Sequence, residues 1–200
     1  MGVTLRQFHQ MQDRLSSTRA GRRLEPPCRS AAHNHQVVLG VDPSLRGTGF
    51  GVIRLARPYP QTLAQGTISC PPNWEHSRCL VKIVAALRVV LRRHRPGVCV
   101  VEGLFYAQNI KTALIMGEAR GAALAAIAEA GLEIYEISPR KVKQAIVGYG
   151  AAQKLAVAKM VQRLLNLRKP PEPDAADALA LALTHAQAAS RYNLTPLKRI

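Results

Sequence analysis

Acidic residues are scarce in this chain, 12 Asp and Glu against 28 Lys and Arg among 200 residues, so the places where carboxylates stand carry information. Three of those places are positions where a buried residue is expected. Asp42 closes the apolar run Val38 to Val41 and leads into Pro43-Ser-Leu-Arg-Gly-Thr-Gly49, a glycine-containing turn, and Glu102 closes a second apolar run, Val98 to Val101. A carboxylate at the end of a buried strand is costly unless it is paired or bound to metal, and neither has an obvious basic partner beside it. The third place is Pro173-Asp174-Ala-Ala-Asp177, where two aspartates three apart at the start of a helical stretch face the same side. Asp174 also suits a plain helix cap. That reading explains it better than it explains Asp177, where Ala178, Leu179 and Leu181 begin a packed face.

Two strand-end carboxylates and a helical pair can converge on one edge of a sheet. An all-oxygen cluster of that kind holds hard cations such as Mg²⁺ or Mn²⁺. Two such ions about 4 Å apart stabilise both the attacking and the leaving oxygen of an in-line phosphodiester displacement. The rest of the chain supplies the complement, because a formal net charge of +16 and a pI near 10.6 draw polyanions, nucleic acid first among them. A basic surface around an acidic metal site reads as a nuclease.

Such residues need elements to hold them. Residues 1–35 read apart from the rest, rich in Arg, Ser, Gln and His, and are expected to be a basic, disordered extension. A DNA-gripping arm, a targeting leader and an upstream start are the other readings of this stretch. From Gln36 to Val41 a short apolar run suits a buried strand, followed by strands over Thr48 to Leu55 and Gln61 to Cys70 in an antiparallel meander. Glu75 to His94 has the 3.6-residue period of a helix with one buried face, stopped by Pro96-Gly97. Val98 to Val101 is again a strand, Asn109 to Ala130 an alanine-rich helix closed by Gly131, and Leu132 to Ile137 a further strand. Ser138-Pro139 opens another helix, Ala151 to Leu165 is helical, Lys169-Pro-Pro-Glu-Pro173 breaks it, and Asp174 to Ala189 forms the last helix.

This predicts one α/β domain over 36–189, a mixed central sheet of about five strands with helices on both faces, and a basic tail over 190–200. At this length and 48% apolar residues the domain can bury roughly 70% of its unfolded surface. Four cysteines, at 28, 70, 79 and 99, lack metal-binding or disulfide-scaffold spacing and read as reduced thiols. With no secretory signal and no apolar run of about 18 residues, a soluble, cytoplasmic, nucleoid-associated protein is expected, with no membrane contact.

Five stretches, in order, resemble the RuvC Holliday junction resolvases of bacteria, a family with the ribonuclease H-like fold. They are Leu39-Gly-Val-Asp-Pro-Ser-Leu-Arg-Gly-Thr-Gly-Phe-Gly-Val-Ile53, Val101-Glu-Gly-Leu-Phe-Tyr-Ala-Gln-Asn109, Gly117-Glu-Ala-Arg-Gly121, Val142-Lys-Gln-Ala-Ile-Val-Gly-Tyr-Gly150 and Asp174-Ala-Ala-Asp-Ala-Leu-Ala-Leu-Ala-Leu-Thr-His185. The resemblance covers about residues 36–187. It makes Asp42, Glu102, Asp174 and Asp177 the metal ligands of a magnesium-dependent endodeoxyribonuclease with two Mg²⁺ per site, Mn²⁺ being able to substitute. It places Lys143 and Lys154 near the scissile phosphate. It makes Phe105 a contact to bases at the junction centre, with core packing as the rival reading there and for Tyr106, and extends DNA binding to Lys111 and Arg120. It further implies paired symmetric nicks in four-way junctions during homologous recombination and DNA repair. The implied partners are a second copy of the chain and a branch-migration helicase complex of RuvA and RuvB. Ser44 stands where the family usually has Gly, which matters only if that turn needs positive φ.

The rival functions are a general ribonuclease H or transposase-type nuclease, and a junction-binding protein without turnover. An actin-like kinase lacks its further Gly-rich phosphate loops here. His185, two turns beyond Asp177, is expected to pack or cap rather than bind metal, and His33 and His35 have no partner cluster. Arg92-Arg93-His94-Arg95 suits a helix C-terminus or a phosphate backbone, and Lys198-Arg199 reads as a frayed, weakly DNA-attracted tail.

Overall fold

The computed structural model describes residues 36–103, 109–190 and 197–200. Its elements are β1 (Val37–Asp42), β2 (Gly47–Arg54), β3 (Gln61–Ser69), α1 (His76–His94), β4 (Val98–Glu102), α2 (Ile110–Glu129), β5 (Glu133–Ile137), α3 (Pro139–Val147), α4 (Lys154–Leu164), α5 (Pro173–Ser190) and β6 (Lys198–Arg199). The sheet order is β3-β2-β1-β4-β5-β6. β1, β2 and β3 form the expected antiparallel meander, β4 and β5 run parallel to β1, and β6 is antiparallel to β5 at the far edge.

Period-2 alternation on the central strands divides the core in two. Leu39 and Val41 of β1 join Cys99 and Val101 of β4 against α1 and α2, where Ile83, Leu87 and Ile127 are fully buried. Val38, Val98 and Val100 point the other way, against Val142, Val157, Val161, Leu179 and Leu181 of α3, α4 and α5. Apolar residues facing both sides are what a central parallel pair requires.

Local signals set the helix ends. α1 stops at Arg95, left-handed at φ 44°, before Pro96, and its last turn carries Arg92, Arg93 and His94 at the negative end of the dipole. Asn109 caps α2 by accepting from Thr112 N at 2.8 Å. Ser138 caps α3, Pro139 stands in its first turn, and Gly148 at φ 84° ends it. α4 begins only at Lys154, because Ala152 N bonds Tyr149 O at 3.1 Å and keeps 149–152 in a turn. α5 begins at Pro173, so Asp174 lies inside the first turn and is not the residue that caps it.

The tail departs from expectation. Lys198 and Arg199 are not frayed but form β6, held by Lys198 Nζ–Glu136 Oε1 at 3.0 Å and Arg199 Nη1–Glu133 Oε1 at 2.9 Å. Cys70, Cys79 and Cys99 are buried free thiols. None of the described helices is long and apolar enough to cross a membrane. Residues 1–35, with Cys28, His33 and His35, and residues 191–196 of the tail lie outside the described residues.

Candidate active site

β1 and β4 are parallel neighbours in the register Val41↔Val101, so the next residue of each, Asp42 and Glu102, stand side by side at the carboxyl ends of the strands. Alternation settles their direction. Asp42 follows Val38 and Gly40 on one side of β1, and Glu102 follows Val98 and Val100 on the same side of β4, so both carboxyls face the helices α3 to α5. The two carboxyls are hydrogen-bonded to each other. Burial and the neighbouring Asp42 charge push the Glu102 carboxyl up to about 8. Burial and the charge of Asp177 raise Asp42 above the usual carboxylate range. Both shifts run upward because two carboxylates this close and this dry resist ionising together.

α5 reaches these strands because glycines stand where its backbone crosses them. A Cβ at Gly40 would stand 1.9 Å from Ala178 O, and one at Gly49 would stand 2.0 Å from Asp174 O, so a larger residue at either position would force the helix away. Ala175, Ala176, Ala178, Ala180 and Ala182, all buried, make the helix side equally thin. Seated this closely, α5 brings Asp177 over the strand ends. Asp174, one turn earlier, lies over the β1–β2 hairpin with Oδ2 close to Gly47. The hairpin itself is locked by Thr48 Oγ1, which donates to Ser44 O at 2.6 Å and accepts from Ser44 N at 3.2 Å. Ser44 does not have positive φ, so the turn takes serine without strain.

Asp42, Glu102, Asp177, Lys143 and Lys154 line one hollow of about 240 Å³, walled by Pro139, Val142, Val157 and Leu181. Lys154 Nζ donates to Asp177 Oδ2 at 2.9 Å, which, together with the Asp42 and Glu102 charges, raises the lysine above its ordinary value. Asp174 is set back from the hollow and reaches it only through its field at Asp42. Among the described residues no three His, Cys, Asp or Glu are arranged to hold a metal ion; Glu102 faces Asp42, and Asp177 is paired with Lys154. The donor chemistry nonetheless fits a hard cation. Crowded carboxylate oxygens that repel one another are what a divalent ion relieves, once those two contacts open.

The other sequence candidates fall elsewhere. Arg120 is only 7% exposed, and its guanidinium donates to the Glu102 carbonyl oxygen and to Glu136 Oε2 at 2.5 Å. The reading of Arg120 as a DNA contact is therefore corrected, because both ends of its fork are already engaged inside the protein. Lys111 is exposed in the first turn of α2, away from the hollow's lining. Phe105 and Tyr106 lie outside the described residues. His185 is buried with its ring 5.2 Å from that of Tyr135, in keeping with packing. Sequence reasoning missed Glu136, which bridges Arg120 and Lys198 from β5. Its signal was there, a carboxylate within the apolar alternation of Leu132 to Ile137.

The profile of the crossover junction endodeoxyribonuclease RuvC family matches residues 38–185. A crossover junction endodeoxyribonuclease RuvC from Rubrobacter xylanophilus is 43% identical over 152 residues, 76% of this chain and 85% of that protein. One from Akkermansia muciniphila is 45% identical over 161 residues, 80% of this chain and 93% of that protein. The structure of T. thermophilus RuvC in complex with Holliday junction substrate superposes with a TM-score of 0.76 at 36% identity, covering 83% of this chain and 100% of that one.

Proposed function

The chain belongs to the RuvC family of crossover junction endodeoxyribonucleases, and from that premise we propose that it resolves Holliday junctions by metal-dependent nicking at the carboxylate hollow. It is an endodeoxyribonuclease of DNA recombination and repair, with a ribonuclease H-like fold. The observation that carries the assignment of the site is the meeting of Asp42, Glu102 and Asp177 with two lysines in one small hollow of a chain of net charge +16.

Asp42, Glu102 and Asp177, with Asp174 behind them, are the residues to hold two Mg²⁺. Bound there, the ions supply activation of water and stabilisation of the leaving 3′ oxygen. The protein's own groups do the rest. Val142, Val157 and Leu181 keep the hollow dry on one side, which strengthens every charge interaction in it. Lys154 balances Asp177 until substrate arrives, and Lys143, which also lines the hollow, would receive a phosphate oxygen. Arg120 holds the backbone of Glu102 and so fixes the angle from which its carboxyl enters.

A four-way junction has approximate two-fold symmetry, and two matched nicks need two sites, which favours a homodimer. Exposed Val81, Val89, Ile110 and Leu114, on the two helices of the opposite face, support a surface that a second copy covers. A branch-migration helicase of the RuvA and RuvB type is the further partner proposed.

The test is cleavage of an end-labelled synthetic four-way junction with Mg²⁺, beside linear duplex and an RNA/DNA hybrid. Symmetric paired nicks in the junction alone are expected. Equal cutting of duplex or hybrid would move the function to a general nuclease, and tight binding without cutting would make it a binding protein.

A further inference from the structure

A second hollow, of about 570 Å³, opens beside the carboxylate site and shares Pro139 and Lys143 with it. Its other polar walls are Arg140 and Gln144 of α3 and Tyr149 of the turn that follows, and no carboxylate lines it. The contrast with its neighbour is chemical. One hollow collects oxygens for a cation, and the other collects cations and an aromatic ring at a size that takes a small polar ligand.

The turn that presents Tyr149 is braced on both sides. Gln144 Nε2 donates to Gly148 O at 2.8 Å, Ala152 N bonds Tyr149 O at 3.1 Å, and Gly148 takes the left-handed φ of 84°. Gly150 lies against the stem of Arg140 so closely that a Cβ would meet Arg140 Cγ at 2.9 Å. Tyr149 itself is 65% exposed. Exposed tyrosines are ordinary singly, and what distinguishes this one is its company: a pinned backbone, two basic side chains and direct continuity with the catalytic hollow through Lys143.

We propose that this hollow takes the nucleotide adjoining the scissile phosphate, its base stacked on Tyr149 and its phosphate held by Arg140. The inference rests on the nuclease reading of the carboxylate site. Stacking needs only a π-face, which every base offers, and a basic wall tracks the backbone, so such a pocket would bind strongly yet accept many sequences. Lys143 then stands between the two hollows and touches the phosphate that joins them.

The test uses the full chain and a four-way junction carrying 2-aminopurine at single positions on either side of the cut, bound without divalent metal. Wild type and Tyr149→Phe are expected to quench the probe at one adjoining position, and Tyr149→Ala to leave it bright. With Mg²⁺ and sub-saturating junction, Tyr149→Ala and Arg140→Ala should cut about tenfold more slowly than wild type, with Tyr149→Phe near wild type. Because Tyr149 and Arg140 are both exposed, all these variants should melt with the wild type. Cutting and quenching by Tyr149→Ala equal to wild type would overturn the pocket while leaving the nuclease intact. Loss in Tyr149→Phe as large as in Tyr149→Ala would overturn the stacking role. A wild type that cuts no junction at all would sink the nuclease reading and the pocket with it.

Discussion

On one face of the sheet, Leu39, Ile83, Leu87 and Ile127 interlock as large aliphatic side chains between strands and helices. On the other, α5 lies against Gly40 and Gly49 through the backbone of Ala178 and Asp174, so backbone nearly touches backbone. The first face gains stability from buried area and leaves the helices some freedom to adjust. The second gives up area for position. Alanine and glycine bury little, but a helix resting on bare strand has few places to settle, and Asp177 must come to rest beside Asp42. The carboxylates are on the face built for placement.

That contrast can be broken from either side. The largest effect is expected from Gly40→Val, whose side chain would collide with the backbone at Ala178. It should cost about 3 kcal/mol or more by urea unfolding and remove nicking altogether. A Gly40→Val protein that folds and cuts normally would show that close seating of α5 is dispensable. Asp42→Asn should abolish nicking of the four-way junction while keeping or improving junction binding in a gel-shift assay, since it removes a metal ligand and lowers repulsion of phosphate. Loss of binding instead would mark Asp42 as structural.

The opposite face should behave in reverse. Leu87→Ala leaves a cavity and is expected to cost about 2–5 kcal/mol, read as a lower melting temperature, with nicking unchanged well below that temperature. A loss of activity at low temperature would mean that the two faces are coupled.

A further test concerns pH. Glu102 keeps its proton in the folded, metal-free protein up to about 8 but loses it near 4.5 once unfolded. The unfolded chain therefore releases that proton first as pH rises, and stability falls from about pH 4.5 through 8. Asp42, raised by burial, acts in the same direction. Melting of the metal-free protein should drop across that window, Glu102→Gln should flatten the slope, and added Mg²⁺ should raise the melting temperature most at the alkaline end. A melting temperature that climbs over the same range would refute the raised carboxyl of Glu102.

Much of this was legible in the sequence because the informative patterns are local. Asp42 and Glu102 betray themselves as charges ending apolar strands, and strand alternation fixes their face once the strands are paired. Asp174 and Asp177 declare a common side by their spacing. What escaped depends on contacts across long separations. Arg120 read as a DNA contact because nothing in its own stretch shows that Glu136 and the Glu102 carbonyl enclose it. β6 has two residues, too few for any periodicity, and exists only because β5 offers an edge with glutamates facing Lys198 and Arg199. The start of α4 slipped from Ala151 to Lys154 because Ala151 and Ala152 suit a helix by composition, while the turn after Gly148 holds them out of it.

The order in which the site's pieces occur along the chain has a consequence for synthesis. Asp42 and Glu102 leave the ribosome before Asp177, which waits for the helix α5 that carries it. The link from Lys198 through Glu136 and Arg120 to Glu102 closes last of all. A chain cut short before α5 therefore lacks Asp177, and with it one wall of the carboxylate hollow.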